Sequence, residues 1–363
     1  MPASFYQRFD GEHAIPEGCQ TINSIDMHTG GEPLRVITSG YPDIQASSLL
    51  DYRRQLKQHH DSFRTSLMFE PRGHADMYGC LILPPFAENA DCSVIFMHNE
   101  GYSTMCGHAV IAIMTLAMQM LWVDIVVADD GEIKWATMTI EAPCGLIRAR
   151  GEQAANGKIT TSFECVPSFV AALDQQVTIL NPITGQNQTI HYDLAYGGAF
   201  YAYVDTRQMD LALTPDNHQQ LIALDRAIKQ AVIDTTDKLL HPFEPDLNFL
   251  YGTIFIGEAL SADADSRNVC IFADGEVDRS PTGSGVSGRM AIHYAKGEIG
   301  INQPMVIESI IGSKFTAQVA RAKPYGHHQK AVIPKVCGDA FICAMNTFII
   351  QPQDRLKHGF LLR

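Results

Sequence analysis

The chain has 363 residues, long enough for two domains rather than one. Hydrophobic residues make up 46% and charged residues 18%, the balance of a globular protein and not of a disordered or fibrous one. A net charge of −13 repels polyanions, which argues against nucleic acid and anionic membrane surfaces as partners.

Residues 1 to about 20 read as a loose N-terminal extension without a basic, then apolar, secretion signal. From Thr21 short apolar runs alternate with turn signals, as in LRVITSGYPD, GCLILPPF and CSVIFMHNEGY, and predict strands. Asp51 to Arg64 predicts a polar surface helix. The run from Cys106 to Leu121 predicts a buried central helix. Its neighbourhood, Ala109 to Val127, is interrupted by Gln119 and Asp124, and the uninterrupted apolar part is too short to span a bilayer. Lys158 to Asp205 predicts more strands. Thr214 to Leu240 predicts a helix with Leu221, Ile222, Leu224, Ile228 and Val232 on one side. Further strands and a helix from Gly283 to about Gly297 complete the pattern. The turn-rich RARGEQAANGK after Arg148 is the candidate boundary, dividing residues 1–155 from 156–344, with 345–363 returning to the first half.

Nine cysteines at irregular spacing, with no CxxC, argue against a disulfide framework or zinc knuckle and for a reducing, cytoplasmic setting. Cys106, in GYSTMCGHAVIAI, stands where a loop enters a helix. Free N–H groups there favour a thiolate and predict a lowered thiol pKa. Taken alone, the feature slightly favours an inert buried thiol. In the second half, PTGSGV repeats the arrangement of MCGHAV: a small nucleophile-type residue, then glycine, then an apolar helix. The two segments lie nearly half the chain apart, as a duplicated unit would place them.

Gly283, Gly285 and Gly288 form a literal GxGxxG, and Glu308 stands where a ribose-binding acid would. The motif does not follow a strand directly and comes late in the chain. A helix start that binds a small anion through free N–H groups is the simpler reading. IDMHTGGEPLRV, with His28 and Glu32, and EPRGHADMYG, with Glu70, Arg72, His74 and Asp76, each fit either a site loop or an internally bonded turn. His59-His60 and His327-His328 resemble metal tracts only superficially. HExxH, Walker A and GxSxG motifs are absent, so no metal, nucleotide or serine-hydrolase chemistry is inferred.

Together IDMHTGGEPLRV, EPRGHADMYG, GYSTMCGHAVIA and DRSPTGSGVSGRMA resemble the proline racemase family, over a span from Ile25 to the C-terminal GFLL. The resemblance implies an α/β (α+β) fold like that of diaminopimelate epimerase. Two pseudo-symmetric halves would each wrap a sheet around a central helix, with the site in the cleft between. It implies cofactor-independent chemistry, no bound metal, and a homodimer. Cys106 is implied as the catalytic base. Gly107, His108, Gly283 and Ser284 are implied as carboxylate-binding groups, and Asp278 as the neighbour of the substrate's ring nitrogen. The family's second thiol is replaced here by Thr282, which casts doubt on two-base racemisation. The Cys/Thr pattern implies dehydration of trans-3-hydroxy-L-proline, with proline racemisation or 4-hydroxyproline 2-epimerisation as the alternative. A non-catalytic amino-acid-binding module remains the rival from another class.

Overall fold

The computed structural model describes residues 14–128 and 133–362. Most of the expected N-terminal extension, residues 1–13, lies outside them. Strands β1 (Gln20–Thr29) and β2 (Glu32–Ser39) form a hairpin. Gly30 and Gly31 turn it with φ of +58° and +91°, a region that side chains with a Cβ rarely enter. The single surface helix expected next is two helices, α1 (Leu49–His59) and α2 (Asp61–Met68). His60, at φ −131° and ψ 17°, breaks the run between them. Nor are they wholly on the surface. Leu49, Tyr52, Leu56, Leu67 and Met68 are buried beneath the polar residues that dominate the sequence pattern.

The first half continues with β3 (Tyr78–Leu83), β4 (Cys92–His98) and β5 (Gly101–Ser103), then the central helix α3 (Gly107–Gln119). It ends with β6 (Val126–Val127), β7 (Lys134–Ala142), β8 (Gly145–Gln153) and β9 (Ile159–Glu164). The second half opens with β10 (Phe169–Leu180), β11 (Asn187–Tyr196), β12 (Phe200–Asp205) and helix α4 (His218–Thr235). Then follow β13 (Leu250–Gly257), β14 (Ser266–Phe272), β15 (Glu276–Val277) and the second central helix α5 (Gly283–Lys296). It closes with β16 (Met305–Glu308), β17 (Lys314–Ala322) and β18 (Val332–Gly338), and the chain's last strand is β19 (Ala340–Ile350).

Strand pairing shows the duplication. The first half runs β19-β1-β2-β3-β4-β7-β8-β9. The second runs β10-β11-β12-β13-β14-β16-β17-β18. In both, the third and fourth strands are parallel, as are the fifth and sixth, and the remaining neighbours are antiparallel. Parallel neighbours need a crossover connection. Helices α1 and α2 lie in one crossover of the first half, and α4 lies in its counterpart. The central helices α3 and α5 lie in the other. Antiparallel pairing of β9 with β18 joins the halves into one continuous sheet system.

Each central helix is surrounded by its sheet, and α3 is accordingly apolar, while α5 buries Ser284, Ser287 and Arg289 as well. Gly107 to Met118 of α3 and Gly283 to Ile292 of α5 are all buried. Helix α3 packs on β1, β8, β9 and β19, and α5 packs on β10, β11, β17 and β18. The two helix starts meet where the halves meet.

Candidate active site

Helix α3 begins at Cys106, whose backbone is extended at φ −146° and ψ 103°. Its Sγ accepts a hydrogen bond from the Ala109 N–H at 3.4 Å, so the thiol itself caps the helix. His108 Nδ1 lies 3.1 Å from the same sulfur. Helix α5 begins at Thr282, at φ 68° and ψ 96°. A β-branched residue in this region is strained by about 1–3 kcal/mol and stays there only when its neighbours hold it. Two bonds hold it. The Thr282 N–H donates to Ser280 Oγ at 3.1 Å, and Thr282 Oγ1 donates to Asp278 Oδ2 at 2.8 Å. Asp278 also accepts from the Ser280 N–H at 2.7 Å. The Ser284 hydroxyl is tied to Tyr201 Oη at 2.7 Å.

All seven candidate residues, Cys106, Gly107, His108, Asp278, Thr282, Gly283 and Ser284, line one cavity. Tyr78, Met105, Tyr201, Tyr251 and Phe272 complete its wall. The cavity measures about 20 Å³. That is room for roughly one water molecule and too little for a proline ring.

Electrostatics correct one expectation. Burial pushes the Cys106 thiol well above its ordinary range, although the helix start was expected to lower it. The Ala109 N–H and the Tyr78 phenol oppose the rise, while Asp278 adds to it. Desolvation of a closed pocket outweighs the N–H donors. Burial also brings His108 down to about 3, so its imidazole is neutral at physiological pH. Burial raises Asp278, against the hydrogen bonds from Thr282 and Ser280.

Both ambiguous sequence motifs reach the site. The β1–β2 turn buttresses the two helix starts together. Thr29 Oγ1 donates to the His108 carbonyl at 2.8 Å, and buried Glu32 accepts the Arg279 N–H at 2.7 Å. The turn is internally bonded as well, with the Gly31 N–H donating to His28 Nδ1 at 3.3 Å. EPRGHADMYG supplies Tyr78, and its Asp76 pairs with Arg279 at 3.1 Å. The GxGxxG glycines serve packing. A Cβ on Gly285 would stand 2.6 Å from Ile254 Cδ1, and one on Gly288 would stand 2.1 Å from Tyr203 Oη. Glu308 is engaged by Arg267 at 2.9 Å, away from these glycines' helix start.

The tyrosines and Phe272 were not singled out from the sequence. Tyr201, Tyr251 and Phe272 stand in apolar strands, where alternation reads as core. Only Tyr78 carried a signal, as part of a loop rich in functional side chains.

The profile described as proline racemase matches residues 24–361. The chain belongs to the proline racemase family. Within it, the chain is 48% identical over 347 residues to the trans-3-hydroxy-L-proline dehydratase of Colwellia psychrerythraea, covering 96% of this chain and 94% of the relative. It is 41% identical over 344 residues to the 3-hydroxyproline 2-epimerase of Burkholderia multivorans, covering 95% and 99%. The crystal structure of a hydroxyproline epimerase from Agrobacterium vitis, with bound trans-4-hydroxy-L-proline, superposes with a TM-score of 0.82 at 27% identity, covering 94% of this chain and 96% of that one. A phenazine biosynthesis protein from Bacillus anthracis, at 12% identity and a TM-score of 0.53, shares the fold alone. The proline racemase fold here is thus the expected diaminopimelate epimerase-like one, with two helix starts facing each other across a cleft.

Proposed function

We propose that this protein dehydrates trans-3-hydroxy-L-proline to Δ1-pyrroline-2-carboxylate without a cofactor, with Cys106 as the base that takes the Cα proton. The observation that carries the reading is the asymmetry of the cleft. One helix start presents a thiol, and the other presents an alcohol already hydrogen-bonded to Asp278. Racemisation by two bases needs an acid and a base on opposite faces of Cα. The Thr282 hydroxyl is far too weak an acid to serve as the second thiol does.

The Cα proton of an amino acid is very weakly acidic, so the charge that develops on the carboxylate must be stabilised. The free N–H groups at the starts of α3 and α5, at Gly107, His108, Gly283 and Ser284, are preorganised for that charge. Asp278 meets the ring ammonium. A positive ring nitrogen beside the buried groups lowers the cost of ionising both Asp278 and Cys106. Entry of the ring requires the two helix starts to part, and closure around it then excludes water.

In the trans isomer the Cα hydrogen and the 3-hydroxyl share a ring face. Elimination is therefore syn and occurs on the Cys106 side. The Cα–H electrons form the Cα–C3 double bond, the C3–O bond breaks, and water departs. The enamine then tautomerises to the cyclic imine. Thr282 faces the opposite side, positions the ring and withholds a proton from that face. The reading carries with it a cytoplasmic homodimer, and nine free cysteines support a reducing compartment.

Proton NMR in D2O tests it, with trans-3-hydroxy-L-proline, trans-4-hydroxy-L-proline and L-proline in parallel. Loss of the first substrate with growth of the imine, and no change in the others, is the expected result. Cα deuteration with inversion of proline or 4-hydroxyproline would establish the racemase or epimerase alternative instead.

A further inference from the structure

Departure of the 3-hydroxyl needs a proton, because hydroxide is a poor leaving group. We infer that the Tyr251 phenol is the general acid that protonates the leaving hydroxyl; this rests on the dehydratase reading above.

Geometry singles it out. Most polar groups of the cavity are engaged: Asp278 by Thr282 and Ser280, Ser284 by Tyr201, and His108 by the sulfur it would otherwise serve. Tyr251 Oη is different. It is buried and makes no hydrogen bond of good geometry within 3.5 Å among the described residues; only the Tyr78 and Ser103 hydroxyls stand near enough for a looser one. A buried hydroxyl without a well-placed partner is costly and marks a place where a ligand completes the bonding. The ring is fixed for that role. It stacks on Phe272 at 5.3 Å and meets the edges of Tyr201 at 5.8 Å and His98 at 5.9 Å. Burial, then the nearby Glu276, holds the phenol well above its ordinary range, so it carries its proton at physiological pH. Tyr251 lines the same small cavity as Cys106, and a syn elimination calls for the acid on the thiol's side of the ring.

The protons balance. Cys106 thiolate takes the Cα proton and becomes the thiol. Tyr251 gives its proton to the departing oxygen as the C3–O bond breaks, and water leaves. The thiol proton returns to the Tyr251 phenolate through the Tyr78 phenol, which neighbours both groups. Thiolate and neutral tyrosines are restored.

The test is Tyr251→Phe, which removes one oxygen and keeps the ring. Two rates are read in D2O on trans-3-hydroxy-L-proline: imine formation, and deuteration of Cα in recovered substrate. The variant should lose about 100-fold or more in dehydration while Cα exchange stays within about threefold of wild type, the range expected of a lost general acid. Chloride needs no proton to leave, so trans-3-chloro-L-proline should be eliminated by the variant at close to the wild-type rate. Dehydration within about threefold of wild type would overturn the assignment. So would a parallel fall in exchange and dehydration, or loss of chloride elimination, because either means that Tyr251 binds or positions substrate. A wild-type protein that forms no imine would instead sink the dehydratase reading itself.

Discussion

Gly107 and Gly283, the first residues of the two central helices, touch backbone to backbone across the cleft. A Cβ built on Gly107 would stand 2.6 Å from Gly283 Cα, and one on Gly283 would stand 2.7 Å from Gly107 Cα. The Phe163 ring underlies both, 2.9 and 3.2 Å from the same built atoms. This approach brings two sets of free N–H groups into one small volume. A single carboxylate can then be held by both helix starts, and each adds its partial positive charge.

Gly107→Ala and Gly283→Ala should therefore each disable the enzyme. A methyl cannot fit against facing backbone, so the helix starts must separate. Overpacking of this kind costs about 1–3 kcal/mol in stability. Misplaced catalytic groups lose about 100-fold or more in rate. Thermal melting and the imine assay read the two effects. Activity close to wild type in either variant would mean that the contact is not needed for the chemistry.

Cys106→Ser should lose nearly all turnover, by about 1,000-fold or more, because an alcohol is not ionised at accessible pH. The fold should hold, since a hydroxyl can still accept the Ala109 N–H bond. Wild-type kcat/KM should rise with pH through and above neutrality. A raised thiol is mostly protonated at pH 7, and each step upward increases the thiolate fraction. Substantial activity in Cys106→Ser would remove Cys106 as the base.

Thr282→Cys places a thiol on the second face. It should gain measurable Cα epimerisation or racemisation, read by chiral chromatography of recovered substrate. The new side chain keeps the strained φ of 68°. It replaces a 2.8 Å bond to Asp278 with a weaker S–H bond, so dehydration should fall as well. A well-folded variant without any inversion would contradict the role given to Thr282.

The two helix starts were legible in the sequence for a local reason. A loop, a small polar residue, a glycine and an apolar run compress the start of a buried helix and its chemistry into six letters. MCGHAV and PTGSGV both have that form. The state of the thiol was not legible, because local N–H donors predict a lowered pKa and only the closed fold reveals the desolvation that reverses it. Tyr201, Tyr251 and Phe272 were hidden for a different reason. Each stands in a strand whose neighbours are apolar, and the cavity wall looks like core until strands distant in sequence are paired. Glu32 and Thr29 were visible in a motif, but what they brace lies across the fold, at Arg279 and His108. His60 broke the expected surface helix through its own backbone angles, which no residue type there announces.

Asp225 offers a test of stability apart from the active site. It sits on α4 with 0% exposure, and Oδ1 accepts the Thr253 N–H at 3.0 Å. Asp225 Oδ2 and Thr253 Oγ1 make no hydrogen bond of good geometry within 3.5 Å among the described residues, and interact with each other only loosely. Burial pushes the carboxyl up to about 7, against the pull of Thr253, Lys229 and Arg226. A folded pKa above the unfolded one means that the folded state binds the extra proton. Stability from this group is thus full below about pH 4 and is lost as pH rises toward 7. The loss is of order 2–4 kcal/mol. Asp225→Asn keeps the acceptor for the Thr253 N–H, adds a donor for Thr253 Oγ1, and cannot ionise. The variant should melt higher than wild type at pH 8, with the difference shrinking toward pH 5. Equal melting temperatures across that range would mean that Asp225 does not titrate between them.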